Sequence, residues 1–372
     1  MRILQVSSAR AFGGGERHLA DLAHGLAERG HDLFFVLREG AALREKLSGI
    51  PSVNIFTLPL RNSIDFSSTL KLSQFARSYR VEIIHAHVAR DYWHAAYAAR
   101  GDRGPRLVLT RHVLFPLSRI THRYTLKDAA RVIAVSEAVA RSLRAQKFFD
   151  ERKLRVVENG VDLSRFARAR AEFESGRDET TGVPFRVGIV GELSAVKGQE
   201  DFVRAAAVVV GKLGDRVEFL VVGEDNSRGG ENRARIERLV SELNLSGRVR
   251  LLGQVGEDEL ASLLASLALL VSASRSESFG MAMVEAMACG VPVVATATEG
   301  AREVVEEGVT GLLVPVGDFN ALASSMLSLL EDERRREALG ASAVAVAKER
   351  FDVARMVEAT ERVYAEAIAE RS

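Results

Sequence analysis

The 372-residue sequence predicts an α/β protein made of two parallel-sheet domains. Short, nearly continuous apolar runs alternate with helical patterns, as strands covered on both faces by helices require. The alternation occurs twice, on either side of a charged stretch at 162–184 that lacks strand character and ends in a Gly-Val-Pro turn. An apolar fraction of 47% is enough for a sizeable core and excludes a disordered chain.

The first half opens on the strand pattern RILQVSS. The helical pattern GERHLADLAHGLAERG follows and stops at Gly30. Further strand patterns are DLFFVLR, VNIFTLPL, VEIIHAH, RLVLTRH and ARVIAVS. The second half repeats the plan with FRVGIVGEL, VEFLVVG, VRLLGQV, LALLVSAS, PVVAT and TGLLVPV. Its helices include GQEDFVRAAAVVVGKLG, RARIERLVSELNL and SFGMAMVEAMACG. A last amphipathic helix runs from about Val353 to Glu370. The expected domains are 1–165 and 166–352, facing each other across a cleft, with the helix at about 353–372 packing back on the first. Ligands of such sheets bind beyond the carboxyl ends of the strands, so motifs there are the informative ones.

The net charge is only +1, but it is unevenly placed. Residues 1–160 hold 26 Lys/Arg against 15 Asp/Glu, and the remainder 25 against 35. This suits either two solvated surfaces of opposite sign or a basic half that meets an anionic partner. The segment 100–155 has 14 Lys/Arg and 5 acids, with Phe115, Tyr124, Phe148 and Phe149 interspersed. It reads as a docking patch for phosphate or for an anionic membrane surface, without a clean amphipathic membrane helix. The one cysteine, Cys289, excludes an internal disulfide and reads as a small buried residue. No apolar run reaches the roughly 18 residues of a membrane span, and the N-terminus lacks a signal-peptide pattern. A cytoplasmic protein is expected, with peripheral contact at the inner face of the membrane left open, and no nucleic-acid partner.

Residues 277–285 read Glu-Ser-Phe-Gly-Met-Ala-Met-Val-Glu. Two carboxylates eight positions apart straddle an apparent strand-to-helix turn. On a helix they would lie roughly 12 Å apart along the axis and about 80° apart around it. The helix start between them offers N–H groups and a partial positive charge. Carboxylate, helix start, carboxylate matches the polyol, diphosphate and ribose of a nucleotide sugar. Lys197-Gly198 in GELSAVKGQED suits a diphosphate leaving group, or is an exposed loop lysine.

Gly13-Gly14-Gly15-Glu16 would let the backbone approach a phosphate, or is a tight turn. It is not a dinucleotide fingerprint, because His18 stands where the third glycine should be. Glu16 reads as a favourable first-turn acid. His112 ends a strand, where it is either a cleft residue or a satisfied polar one. His85 and His87 have a spacing that could suit a metal, but no Cys or carboxylate cluster completes a site, so structural roles are expected. All eight histidines lie within the first 122 residues. Ser136 reads as a helix cap, and Asn159-Gly160-Val161-Asp162 as a turn.

Taken together these residues resemble the family-four retaining glycosyltransferases, also called group one, of the GT-B fold. VGELSAVKG, VEFLVVG, VRLLGQV, SESFGMAMVEAMACGVPVVAT and EVVEEGVTGLLVPVGD follow in that family's order and spacing. GGGERH, HAH, LTRH, AVSEAVA and VENGVD match in the first half. The resemblance implies two Rossmann-like domains, the first on the acceptor side and the second binding the donor. It implies catalytic roles for Glu277 at the sugar, Lys197 at the diphosphate and His112 near the reacting sugar. Donor contacts fall to Gly14, Gly15, Gly253, Val255, Phe279, Gly280, Met281 and, at the ribose, Glu285. Glu16, Arg17 and Ser136 are the acceptor-side candidates.

The implied reaction carries a sugar from a UDP- or GDP-sugar to a hydroxyl of a glycan or lipid-linked acceptor, in glycolipid, lipopolysaccharide or polysaccharide synthesis. No DxD motif is present, so neither a metal nor another cofactor is expected. One departure stands out: the family usually has Arg directly after the glycine at position 191, and this chain has Glu192. One of two diphosphate cations is thereby missing, which keeps a noncatalytic nucleotide-sugar binding protein as the alternative.

Overall fold

The computed structural model describes residues 1–50, 54–62, 65–101, 104–117, 120–146, 150–176 and 184–370. Phe148 and Phe149 of the basic segment, and Gly182 and Val183 of the expected turn, lie outside these residues. The chain divides into two compact units, Met1–Val161 together with Val353–Ser372, and Asp162–Asp352.

The first unit is built on strands β1 (Arg2–Ser7), β2 (Asp32–Arg38), β3 (Ile55–Leu58), β4 (Ile83–Ala86), β5 (Arg106–Arg111), β6 (Arg131–Ala134) and β7 (Leu154–Val156). Their order is β3-β2-β1-β4-β5-β6-β7, all parallel. Strands β1, β2, β4, β5 and β6 are buried along most of their length, as strands covered by helices are. The order reverses between β1 and β4, and the register there sets Gln5 beside His85. The loops leaving β1, β4 and β5 therefore open at one edge of the sheet. Strand β7 has no counterpart among the expected strands. Its three residues are flanked by charge, and pairing with β6 fixes them.

The helix Val353–Ala369 belongs to this unit and packs on the helix Gly14–Glu28. Its Met356, Val357, Val363, Tyr364 and Ala367 join a core with Ile3, Leu19, Leu22 and Phe35. Part of the basic surplus is used here. Glu366 accepts from Arg131 at 3.0 Å and Arg155 at 2.8 Å, and Glu370 pairs with Arg131 at 2.6 Å.

The second unit holds β8 (Phe185–Val190), β9 (Val217–Val222), β10 (Val249–Gly253), β11 (Leu269–Ser272), β12 (Val293–Thr296) and β13 (Gly311–Val314). The order is β10-β9-β8-β11-β12-β13, again parallel, and it reverses between β8 and β11. The changeover between units falls after Val161. Asp162 then caps the helix Leu163–Ser175 by accepting from the Ser164 N–H at 3.1 Å. Most of the charged stretch is thus a helix, anchored by buried Phe166 and Ala169. Two apolar anchors among so many charges leave only a faint periodic signal. Among the described residues no helix is long and apolar enough to cross a membrane.

Candidate functional site

In the second unit the predicted residues gather at the carboxyl ends of β8 and β11. The loop after β8 carries Glu192 and Lys197, and Gly198 then caps the helix Gln199–Leu213. Gly198 has φ +70°, and a Cβ there would meet the Ala273 carbonyl oxygen at 2.0 Å, so only glycine fits. The two loops are stitched together where Arg275 N–H donates to the Val196 carbonyl at 2.7 Å. Lys197 Nζ then reaches Glu277 Oε2 at 2.6 Å. The Glu277 side chain is 11% exposed and that of Lys197 32%, which makes this a partly buried pair. The Glu277 carbonyl also accepts from the Gly300 N–H at 3.1 Å, which fixes the backbone of its loop.

The helix after β11 is Met281–Ala288, with Gly280 as its cap at φ +101°. A Cβ on Gly280 would lie 2.0 Å from the Met283 methyl carbon. The Met283 and Val284 N–H groups donate to the Gly280 carbonyl at 3.0 and 3.4 Å, so the anion-favouring end is the start of the helix at Met281 and Ala282. Glu277 precedes the helix, so the helical spacing expected between it and Glu285 does not apply. Glu285 lies within the helix and is buried at 3% exposure. Phe279 is buried edge-on against Phe351, with ring centroids 5.6 Å apart. Gly253 ends β10 and Val255 follows it half-buried. Glu192 has an exposed side chain, and its carbonyl accepts from Gln199 Nε2 at 2.9 Å. Burial, then the nearby Glu285 charge, pushes the Cys289 thiol up to about 12, so it is not a thiolate nucleophile.

In the first unit Gly13 caps the helix Gly14–Glu28, and its N–H donates to Glu16 Oε2 at 3.0 Å. Burial raises the Glu16 pKa, while that hydrogen bond opposes the rise. The carboxylate is thus engaged with the N-cap backbone, the one half of a capping box that a glycine cap permits. Arg17 lies over the Phe12 ring at 5.9 Å. The Ser136 hydroxyl is fully buried and accepts from the Val139 N–H at 3.2 Å as a helix cap. Gly14 is exposed, and Gly15 sits against the His112 ring, from which a Cβ would be 3.7 Å away.

His112 follows β5 and meets two other imidazoles. Its ring centroid is 4.9 Å from that of His18 and 5.8 Å from that of His87. One ligand nitrogen from each of the three lies within 4.8 Å of the others. His18 Nδ1, His87 Nδ1 and His112 Nε2 are buried without a hydrogen-bond partner. Burial dominates their titration. It lowers His18 to about 4, partly offset by the Asn159 side chain, and holds His87 and His112 well below the usual range with help from neighbouring ring charges.

A hydrogen-bond chain assigns the His87 tautomer. Gln5 Nε2 can only donate, so Tyr364 Oη accepts from it at 3.3 Å. The Tyr364 hydroxyl then donates to His85 Nδ1 at 2.6 Å, and His85 Nε2–H donates to Thr110 Oγ1 at 2.6 Å. Gln5 Oε1 can only accept, so His87 Nε2–H donates to it at 2.8 Å. His87 is left with a free lone pair on Nδ1, which is buried and has no hydrogen-bond partner. His85 is structural, as its sequence suggested, but His87 is part of a cluster that the sequence did not reveal. The signal lay in His87 and His112 at strand ends and His18 in the helix after β1; joining them required the order β1-β4-β5.

Sequence and structure comparisons bear on both halves. Residues 12–165 match the profile of Glycosyltransferase Family 4, and residues 172–345 match that of Glycosyl transferases group 1. N-acetyl-alpha-D-glucosaminyl L-malate synthase of Bacillus anthracis is 28% identical over 364 residues, covering 92% of this chain and 91% of that protein. D-inositol 3-phosphate glycosyltransferase of Salinispora tropica is 32% identical over 318 residues, covering 78% of this chain and 64% of that protein, so the chain spans less than two thirds of it. Anabaena HepE, crystallised with UDP and glucose, superposes with a TM-score of 0.82 at 26% identity over 97% of this chain and 98% of that one. Two parallel Rossmann-like sheets with this likeness define a glycosyltransferase of the GT-B type. The chain belongs to the group 1, family 4 glycosyltransferases.

Proposed function

We propose that the protein transfers a sugar from a UDP-sugar to a hydroxyl of an anionic acceptor, with retention of anomeric configuration and without a divalent ion on the diphosphate. The Lys197–Glu277 pair carries this reading, because it sets a cation and a carboxylate together at a helix N-terminus. In the transition state negative charge builds on the departing diphosphate. The Lys197 ammonium and the helix start at Met281 are suited to receive it. Glu277 orients Lys197 and offers its second oxygen to sugar hydroxyls. Glu285 is the ribose anchor, with Gly253 and Val255 at the base. In the first unit His112, Gly14 and Gly15 are assigned to the donor and Arg17 to the acceptor, whereas Glu16 and Ser136 serve as helix caps and are withdrawn as acceptor contacts.

UDP is favoured by the HepE complexes, which contain UDP-glucose as well as UDP with glucose. An anionic acceptor agrees with the basic surplus of residues 1–160 and with relatives named for L-malate and inositol 3-phosphate. A lipid-linked phosphate at an anionic membrane surface fits the same chemistry. Turnover should be measured with UDP-, GDP- and ADP-sugars against malate, phosphorylated polyols and neutral polyols. UDP release that needs an anionic acceptor, yields the retained anomer and persists in EDTA is expected. Equal use of neutral acceptors, or complete loss in EDTA, removes the corresponding part of the proposal.

A further inference from the structure

We infer that His18, His87 and His112 form a transition-metal site, fitted best by Zn²⁺, in the first unit. Three rings packed against one another, each with a buried nitrogen that lacks a hydrogen-bond partner, bring one ligand nitrogen apiece within 4.8 Å of the others at the end of the sheet where its order reverses. Buried polar atoms without partners are rare in folded proteins and call for an ion or ordered water. Three imidazoles on one Zn²⁺ at 2.0–2.1 Å have nitrogens roughly 3.4 Å apart, so side-chain rotations of about an ångström close the site.

The donor set selects the metal. Three imidazole nitrogens suit Zn²⁺, Cu²⁺ or Ni²⁺, whereas Mg²⁺ and Ca²⁺ favour shells of oxygen, and the Asn159 carboxamide beside His18 adds one neutral oxygen only. The Gln5 carboxamide supplies the outer partner that metal-bound imidazoles commonly have: it accepts from His87 Nε2 and fixes Nδ1 as the ligand atom. Tyr364 holds that carboxamide in turn. Three ligands leave a fourth position for water or an anion. His112 is half-buried against Gly15, which follows the exposed Gly13 and Gly14. The metal is no cofactor of transfer. By engaging His112 Nε2 it takes that imidazole from the sugar, a consequence that rests on the role proposed for His112 above.

The test uses the full chain without a histidine tag, stripped with EDTA and freed of chelator. Titration with Co²⁺ should produce visible ligand-field absorption that Zn²⁺ abolishes, and Zn²⁺ should raise the melting temperature. His18→Leu and His87→Gln should each weaken metal binding at least tenfold, with circular dichroism confirming the fold. If neither variant folds, His112→Ala at its half-buried position should show the same loss. No cobalt absorption in the wild type, or undiminished binding in the variants, overturns the site and leaves a cluster that holds water only. Zn²⁺ should also inhibit wild-type turnover, with EDTA restoring it. Metal binding without inhibition supports the site and counts against His112 at the sugar.

Discussion

Lys197 Nζ lies 2.6 Å from Glu277 Oε2, so this ion pair joins the Arg275–Val196 backbone hydrogen bond in tying the loop after β8 to the loop after β11, where the strand order reverses. Neither residue is fully buried. The pair can therefore open toward a ligand without leaving a charge in an apolar interior.

Lys197→Ala should lower kcat by about 10²–10³-fold, the usual effect of deleting one transition-state donor. The melting temperature should fall by only a few degrees. Rapid-quench kinetics beside a thermal melt separates the two, and an unchanged chemical step would remove Lys197 from the diphosphate.

Glu285→Gln keeps the volume and removes the charge. Donor dissociation constants from calorimetry should rise about 10- to 100-fold, as expected for a lost hydrogen bond to a charged group. Unchanged affinity in a folded variant would exclude the ribose role.

Asp91 is fully buried and accepts from the Ser8 N–H at 2.7 Å. Burial raises its pKa to about 6. The folded state therefore holds a proton that the unfolded chain releases near 3.8. The stability this gives is complete below the unfolded value and is lost as pH rises to the folded one. A shift of that size corresponds to about 3 kcal/mol. Asp91→Asn should flatten the stability profile between pH 4 and 6 and stabilise the protein at pH 8, as read by urea denaturation at each pH.

Tyr364→Phe deletes the hydroxyl that serves both Gln5 and His85. Both are fully buried, so the loss should be about 1–3 kcal/mol, measured by chemical denaturation. A neutral result would mean that water takes the place of the hydroxyl.

Much of the fold was legible because its strands are apolar runs closed by glycine or a strand-end polar residue. The runs around Ile3, Phe35, Val187 and Val271 all became central strands. β7 and the helix Leu163–Ser175 were not legible, because tertiary pairing and two apolar anchors hold them. Sequence order placed Lys197 and Glu277 at strand ends, but not in contact. That contact depends on β8 and β11 being neighbours, although β9 and β10 lie between them in the chain. Glu277 and Glu285 were spaced as if on one continuous helix, whereas the helix begins only at Met281. The histidine cluster was hidden for the same topological reason: His18, His87 and His112 come from three separate segments.

The helix Val353–Ala369 gives the first unit an unusual history during synthesis. β1 and β4 leave the ribosome early, yet Tyr364 follows only after the whole second unit has been made. At bacterial and eukaryotic elongation rates the interval between His85 and Tyr364 is about 14–56 s. Through that time Gln5 and His85 have no tyrosine to bind, and the carboxamide that sets the His87 tautomer is free to turn. The second unit, continuous in the chain, can fold meanwhile. The amino-terminal half is thus begun first and finished last, and a stalled nascent chain would carry a complete second unit beside an imidazole network still awaiting its last hydroxyl.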